Sequence, residues 1–93
     1  MTALAHTEIG SLLVVEEGFR QGRPCLRGTG ITVHTIAVER MMGRTSEEIC
    51  SDWPDLDAAL IHAALAYCFA NRQRVEAELE EDVRFGTELA ARG

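Results

Sequence analysis

Hydrophobic spacing divides the chain into a short β-like opening and a long helical remainder. Leu12-Leu13-Val14-Val15 is a run of β-forming residues closed by Glu16-Glu17-Gly18, and Ile31-Thr32-Val33 is the other β-branched cluster. The two are expected to pair as a two-stranded ribbon. Such a ribbon is marginal alone and must pack on helices or on a second copy. From Val33 the period changes. Val33, Ile36, Ala37 and Met41 fall at i, i+3, i+4 and i+8, which predicts a first helix with one buried stripe, ended by Gly43. Thr45-Ser46-Glu47-Glu48 opens a second, short helix in capping-box register, and Trp53-Pro54 must stop it. Asp55 or Asp57 caps a third, running from Ala58 to about Arg72. Three helices with tight joints make a helix-turn-helix-like plan.

The third helix is apolar on every side: between Ala58 and Ala70 the strongly polar residue is His62. A helix of that kind is expected to be buried all round, and so short a chain needs a second copy or a partner to do it. Gln73–Ala91 then reads as a long acidic helix. Val75, Leu79 and Val83 repeat every four residues among Glu76, Glu78, Glu80, Glu81 and Asp82, and Gly86 is placed to interrupt it. A loop, Gly22–Val33, leads into and includes the second β-like run, with four glycine or proline residues in its first nine positions. No regular element survives that density.

The expected architecture is therefore mostly α: residues 1–11 a flexible lead-in, residues 12–72 a helix-turn-helix-like three-helix core with a short N-terminal β-ribbon, and residues 73–93 a C-terminal acidic helix. Ninety-three residues allow one domain and only a marginal core. The longest apolar run, Ala63–Ala70, is eight residues, far short of the ~20 that span a bilayer. Nothing near Met1 reads as a signal peptide, so the chain is expected to be cytoplasmic. Cys25, Cys50 and Cys68 are odd in number, widely spaced, and out of metal-ligand register with His6, His34 and His62, which predicts reduced thiols and no metal.

The net charge of −6 is unevenly spread: +1 up to Arg44 and −7 from Thr45 on. That division predicts a basic patch near the loop and an acidic half with a different partner. Arg27-Gly28-Thr29-Gly30 could offer amides and a hydroxyl to a phosphate, but it lacks the lysine of a phosphate loop. A turn locked by its glycines is the favoured reading. From Ala58 to Ala70 the third helix carries none of the Arg, Lys, Asn or Gln that read base edges. DNA, if bound, is expected to meet Arg20, Arg23, Arg27, Thr29, Arg40 and Arg44 through a dimer or complex that adds basic surface. His34 and His62 have no visible partner, and Asp52, Asp55 and Asp57 stand where helix ends want acids. Neither an enzyme nor a cofactor is expected.

Gly22-Arg23-Pro24-Cys25-Leu26-Arg27-Gly28-Thr29, followed by Ile31-Thr32-Val33, Gly43, Glu47-Glu48-Ile49 and Trp53-Pro54, closely resembles the Domain of Unknown Function 433 family. The likeness runs from about Leu13 to Ala70. One position departs from the usual pattern, where an arginine follows Gly-Thr and this chain has Gly30. The resemblance implies a helix-turn-helix-like protein, often encoded beside a PIN-like nuclease and proposed as the antitoxin of a toxin–antitoxin pair. On that reading Val75, Leu79, Glu80 and Val83 of the acidic helix dock on the toxin while the core forms a homodimer. Removing Gln73–Gly93 is then expected to abolish docking and spare the core. The alternatives are a DNA-binding regulator without a toxin, which predicts salt-dependent DNA binding, and a purely structural oligomerisation module.

Overall fold

A computed structural model describes the backbone of residues 8–92 and the side chains of residues 10–86. Most of the expected lead-in thus lies outside the described residues. Its end, Glu8–Leu12, is a 3-10 turn. Two strands follow, β1 (Leu13–Val14) and β2 (Cys25–Leu26), then α1 (Val33–Met41), α2 (Ser46–Asp52), α3 (Ala58–Ala70) and α4 (Arg72–Arg92). The chain is mostly helical, with a two-stranded antiparallel ribbon ahead of a helix-turn-helix-like core.

The ribbon forms, but its second strand is not Ile31–Val33. Leu13 pairs with Leu26 and Val14 with Cys25. Ile31-Thr32 lies on the other side of that strand, where the Leu26 amide donates to the Ile31 carbonyl at 2.9 Å and Cys25 bridges Thr32. Pro24 has no amide to donate, yet its carbonyl accepts from Val33 at 3.0 Å. Cys25-Leu26, inside the segment that looked like a pure loop, is therefore a strand paired with β1 on one side and bridged to Thr32 on the other. Gly28, at φ 78°, makes the reversal after it, a conformation that costs an L side chain about 1–2 kcal/mol.

The helices begin and end where their chemistry dictates. Thr32 caps α1 and Asp57 caps α3, each accepting from a backbone amide two or three residues on. At α2, Thr45 accepts from the Glu48 amide while the Glu48 carboxylate accepts from the Thr45 amide, a complete capping box. Thr45→Ala is expected to cost about 1 kcal/mol, measurable as a lowered thermal midpoint with unchanged helix content. Gly43, at φ 86°, follows the last turn of α1. Trp53 closes α2, packs half-buried on the core and reaches Glu39 at 3.4 Å through its indole N–H.

Leu26, Val33, Ile36, Ile49, Ile61, Ala64 and Leu65 form the core. Two expectations about it need correction. Met41, assigned to the buried stripe of α1, is 65% exposed and lines an open cleft with Leu65 and Phe69 of α3. α3 is covered on one side only: Ala59, His62, Ala66, Phe69 and Ala70 are exposed. It ends at Ala70 with Asn71 as its C-cap, and α4 starts at once. α4 then runs through Gly86 without a break.

Candidate interaction site on the acidic helix

α4 is not an appendage. Val75, expected to face a partner, is 2% exposed and packs inside the chain. One turn on, Glu78 meets His34 of α1, with Nε2 2.9 Å from Oε1. A further turn on, Arg23 donates to both carboxylate oxygens of Asp82, at 2.8 and 3.0 Å, and to the Glu78 carbonyl at 3.4 Å. Its guanidinium holds the Asp82 carboxyl below the usual carboxylate range. His34 is buried, and its second ring nitrogen, Nδ1, has no partner. The inner stripe of α4 is thus one apolar residue and two acids at i, i+3 and i+7.

That docking decides which residues remain outward. Glu80 and Val83 are exposed, Val83 at 71%, and Leu79 is half-buried. Met41 of α1 and its C-cap Met42, each 65% exposed, stand beside Leu79 and Val83. A cleft of about 260 Å³ between α1, α3 and α4 is lined by Ala37, Met41, Leu65, Phe69, Val75 and others. Further along, Met41, Leu79 and Val83 line its continuation between Glu76, Glu80 and Arg84. Three of the four expected docking residues therefore lie together on an apolar face edged by Glu76 and Glu80 and by Arg40, Arg72 and Arg84, and Val75 forms its floor. The sequence pattern did not point to Met41, Met42 or Phe69, since Met41 sat on a helical stripe and Phe69 in a uniformly apolar run. Side chains beyond Gly86, Leu89 among them, lie outside the described ones.

The arginines and Thr29 do not gather into one patch. Arg20, Arg23 and Arg27 flank the ribbon near the start of α1, whereas Arg40 and Arg44 lie at its far end. Arg44 is ion-paired with Asp52, and Arg40 donates to the Arg44 carbonyl at 3.1 Å. Arg27 donates to the Ser11 hydroxyl at 3.1 Å, and Arg20 lies over the Phe19 ring at 5.4 Å. The Thr29 hydroxyl donates to the Leu26 carbonyl at 2.8 Å and accepts from the Ile31 amide at 3.1 Å. It serves the turn. Arg20 and Gln21 hold left-handed backbone, φ 51° and 60°, which no composition signal announced. The arginine side chain of position 20 crosses Gly30, where a Cβ would stand 3.4 Å from its Nη2.

Among the described residues, no group of three or more His, Cys, Asp or Glu side chains could hold a metal ion. No described helix is long and apolar enough to cross a membrane. The three cysteines are free; burial pushes the Cys68 thiol up to about 11, which leaves it a weak nucleophile near neutral pH.

A small helix-turn-helix-like core, an antiparallel ribbon and a docked acidic helix define the class of protein. The chain belongs to the family described as Protein of unknown function (DUF433), whose model matches residues 13–68. A DUF433 member protein from Anabaena variabilis ATCC 29413, with a crystal structure at 2.00 Å resolution, superposes with a TM-score of 0.67. The two are 25% identical, and the match covers 85% of this chain and 79% of that one. The uncharacterized protein y4eO of Sinorhizobium fredii (strain NBRC 101917 / NGR234) is 38% identical over 64 residues, covering 64% of this chain. The match takes in only 29% of that relative's length.

Proposed function

We propose that the chain is a cytoplasmic, non-catalytic antitoxin that neutralises a PIN-like ribonuclease by protein–protein contact through the outer face of α4. The observation that carries this reading is the face itself. Val83, Met41 and Met42 are each more than 60% exposed; Met41 and Val83 sit beside Glu76 and Glu80, and Met42 beside Leu79, Asp82 and Val83. Exposed apolar patches edged with charge are the usual form of protein-docking surfaces. A ribonuclease grips polyanionic RNA with basic surface, and Glu76 and Glu80 beside this apolar face complement it. The arginines a DNA-binding regulator would need are divided between two ends of α1, and Arg23 and Arg44 already face carboxylates.

Because α4 supplies Val75 to the core and partners to Arg23 and His34, removing residues 73–93 would disturb the fold as well as the docking face. Point changes are cleaner. The full chain, Val83→Glu and Glu80→Lys are used as bait in the native host, and captured proteins are assayed for RNA cleavage. Capture of a ribonuclease that the wild-type chain inhibits, with inhibition weakened at least about 30-fold by either variant, supports the proposal. Inhibition unchanged in both variants, or no nuclease captured and DNA bound at low salt and released at high salt, overturns it.

A further inference from the structure

α3 carries no Asp, Glu, Lys or Arg from Ala58 to Ala70, yet the chain covers only one side of it. Ile61, Ala64 and Leu65 belong to the core, while Ala59, His62, Ala66 and Phe69 are exposed, Phe69 at 64%. The exposed four recur at i, i+3, i+7 and i+10, the spacing of a helix–helix seam. We propose that this seam is the docking site for a second copy of the chain, α3 against α3, antiparallel about a two-fold axis between His62 and Ala66.

Shape and charge select that occupant. A two-fold axis at that point sets Phe69 of each copy against Ala59 of the other, and His62 against Ala66, so a large side chain meets a small one throughout. Asp55 and Asp57 precede the helix, and Arg72 and Arg74 follow it, all exposed, with Arg72 paired to Glu76 at 3.0 Å and Arg74 3.8 Å from Glu78 in α4. The same reversal lays each acidic end on a basic end and opposes the two helix dipoles. A partner of one charge sign would be attracted at one end of the seam and repelled at the other. This surface reversed satisfies both. The groove beside the seam, about 420 Å³ and bordered by Arg40, Thr45, Ser46, His62 and Phe69, gives the contact width beyond one helix.

Phe69 lines both the seam and the cleft beside α4, whereas Ala66 lines the groove beside the seam and not that cleft, so Ala66→Glu separates the dimer from what α4 binds. The dimer also withholds from a DNA groove the helix that a helix-turn-helix plan would offer to it.

Sedimentation equilibrium of the full chain, from about 1 to 100 µM, the range over which small dimers of modest affinity dissociate, tests this. A concentration-dependent dimer is expected. Ala66→Glu and Phe69→Glu each raise its dissociation constant at least about 30-fold, with unchanged far-ultraviolet circular dichroism because both positions are exposed in the monomer. Asp55→Arg weakens the dimer, and Asp55→Arg with Arg72→Asp recovers it. A monomer throughout the range, a dimer indifferent to both glutamates, or a charge swap weaker than Asp55→Arg alone overturns the proposal.

Discussion

Leu26→Ala is expected to bring the chain to the edge of unfolding. Leu26 is fully buried and belongs to the main hydrophobic cluster. It also holds the ribbon and the turn after it in place: its amide donates to Ile31, its carbonyl accepts from Thr29, and it pairs with Leu13 across the ribbon. Truncating a buried leucine costs about 2–5 kcal/mol. A domain this small has about 5–15 kcal/mol in all, and the sparse core places it toward the lower end. The thermal midpoint is therefore expected to fall by about 4–8 °C for each kcal/mol lost. Val14→Ala, on a residue 38% exposed in the same ribbon, is the control and should stay within about 1 kcal/mol. Urea denaturation at one fixed protein concentration makes the comparison, since self-association would add stability by mass action. A loss below 1 kcal/mol for Leu26→Ala would mean that the loop is held by its backbone alone.

The parts of the fold legible in the sequence were those fixed by local chemistry. Thr45 with Glu48, Asp57 before Ala58, Gly43 after α1 and Pro54 after α2 each act within four residues, and each stands where the pattern put it. The ribbon was misread because Cys25-Leu26 is only two residues long and follows Pro24. Neither propensity nor alternation has force over that length, and its strand character comes from pairing on both sides. The family was legible for the opposite reason, since its motif lies in the loop itself.

The interaction face was harder to see. Val75, Leu79 and Val83 are a correct stripe, but a stripe does not state which of its members the chain covers for itself. Glu78 and Asp82 looked like two more members of a solvated acidic face. Their partners, His34 and Arg23, lie 44 and 59 residues earlier, beyond the reach of any local pattern. Once those pairs are in place, α4 is fixed in rotation, and its remaining side chains are sorted into inner and outer without further choice.

The second large effect follows from that rotation. Glu78→Ala is expected to destabilise the chain by about 1–3 kcal/mol, the cost of leaving a buried polar group without its partner. His34 has a side chain only 4% exposed, and Nδ1 already lacks a partner, so removing the carboxylate strands the whole imidazole. Glu78→Gln keeps an acceptor in the same place and should lose less than half as much. His34→Leu alone leaves a carboxylate that is 25% exposed and can turn to water, so its effect should be the smaller of the two truncations. Replacing both, His34→Leu with Glu78→Leu, should return most of the loss, because neither end is then left unsatisfied. A double-mutant cycle by urea denaturation reads the coupling, expected within about 0.5–3 kcal/mol for groups in direct contact. Hydrogen exchange adds the structural half of the test: in Glu78→Ala the amides of α4 should exchange faster while those of α2 keep their protection. An alanine variant as stable as the parent, with α4 equally protected, would mean that Val75 and the Arg23–Asp82 pair hold the helix by themselves.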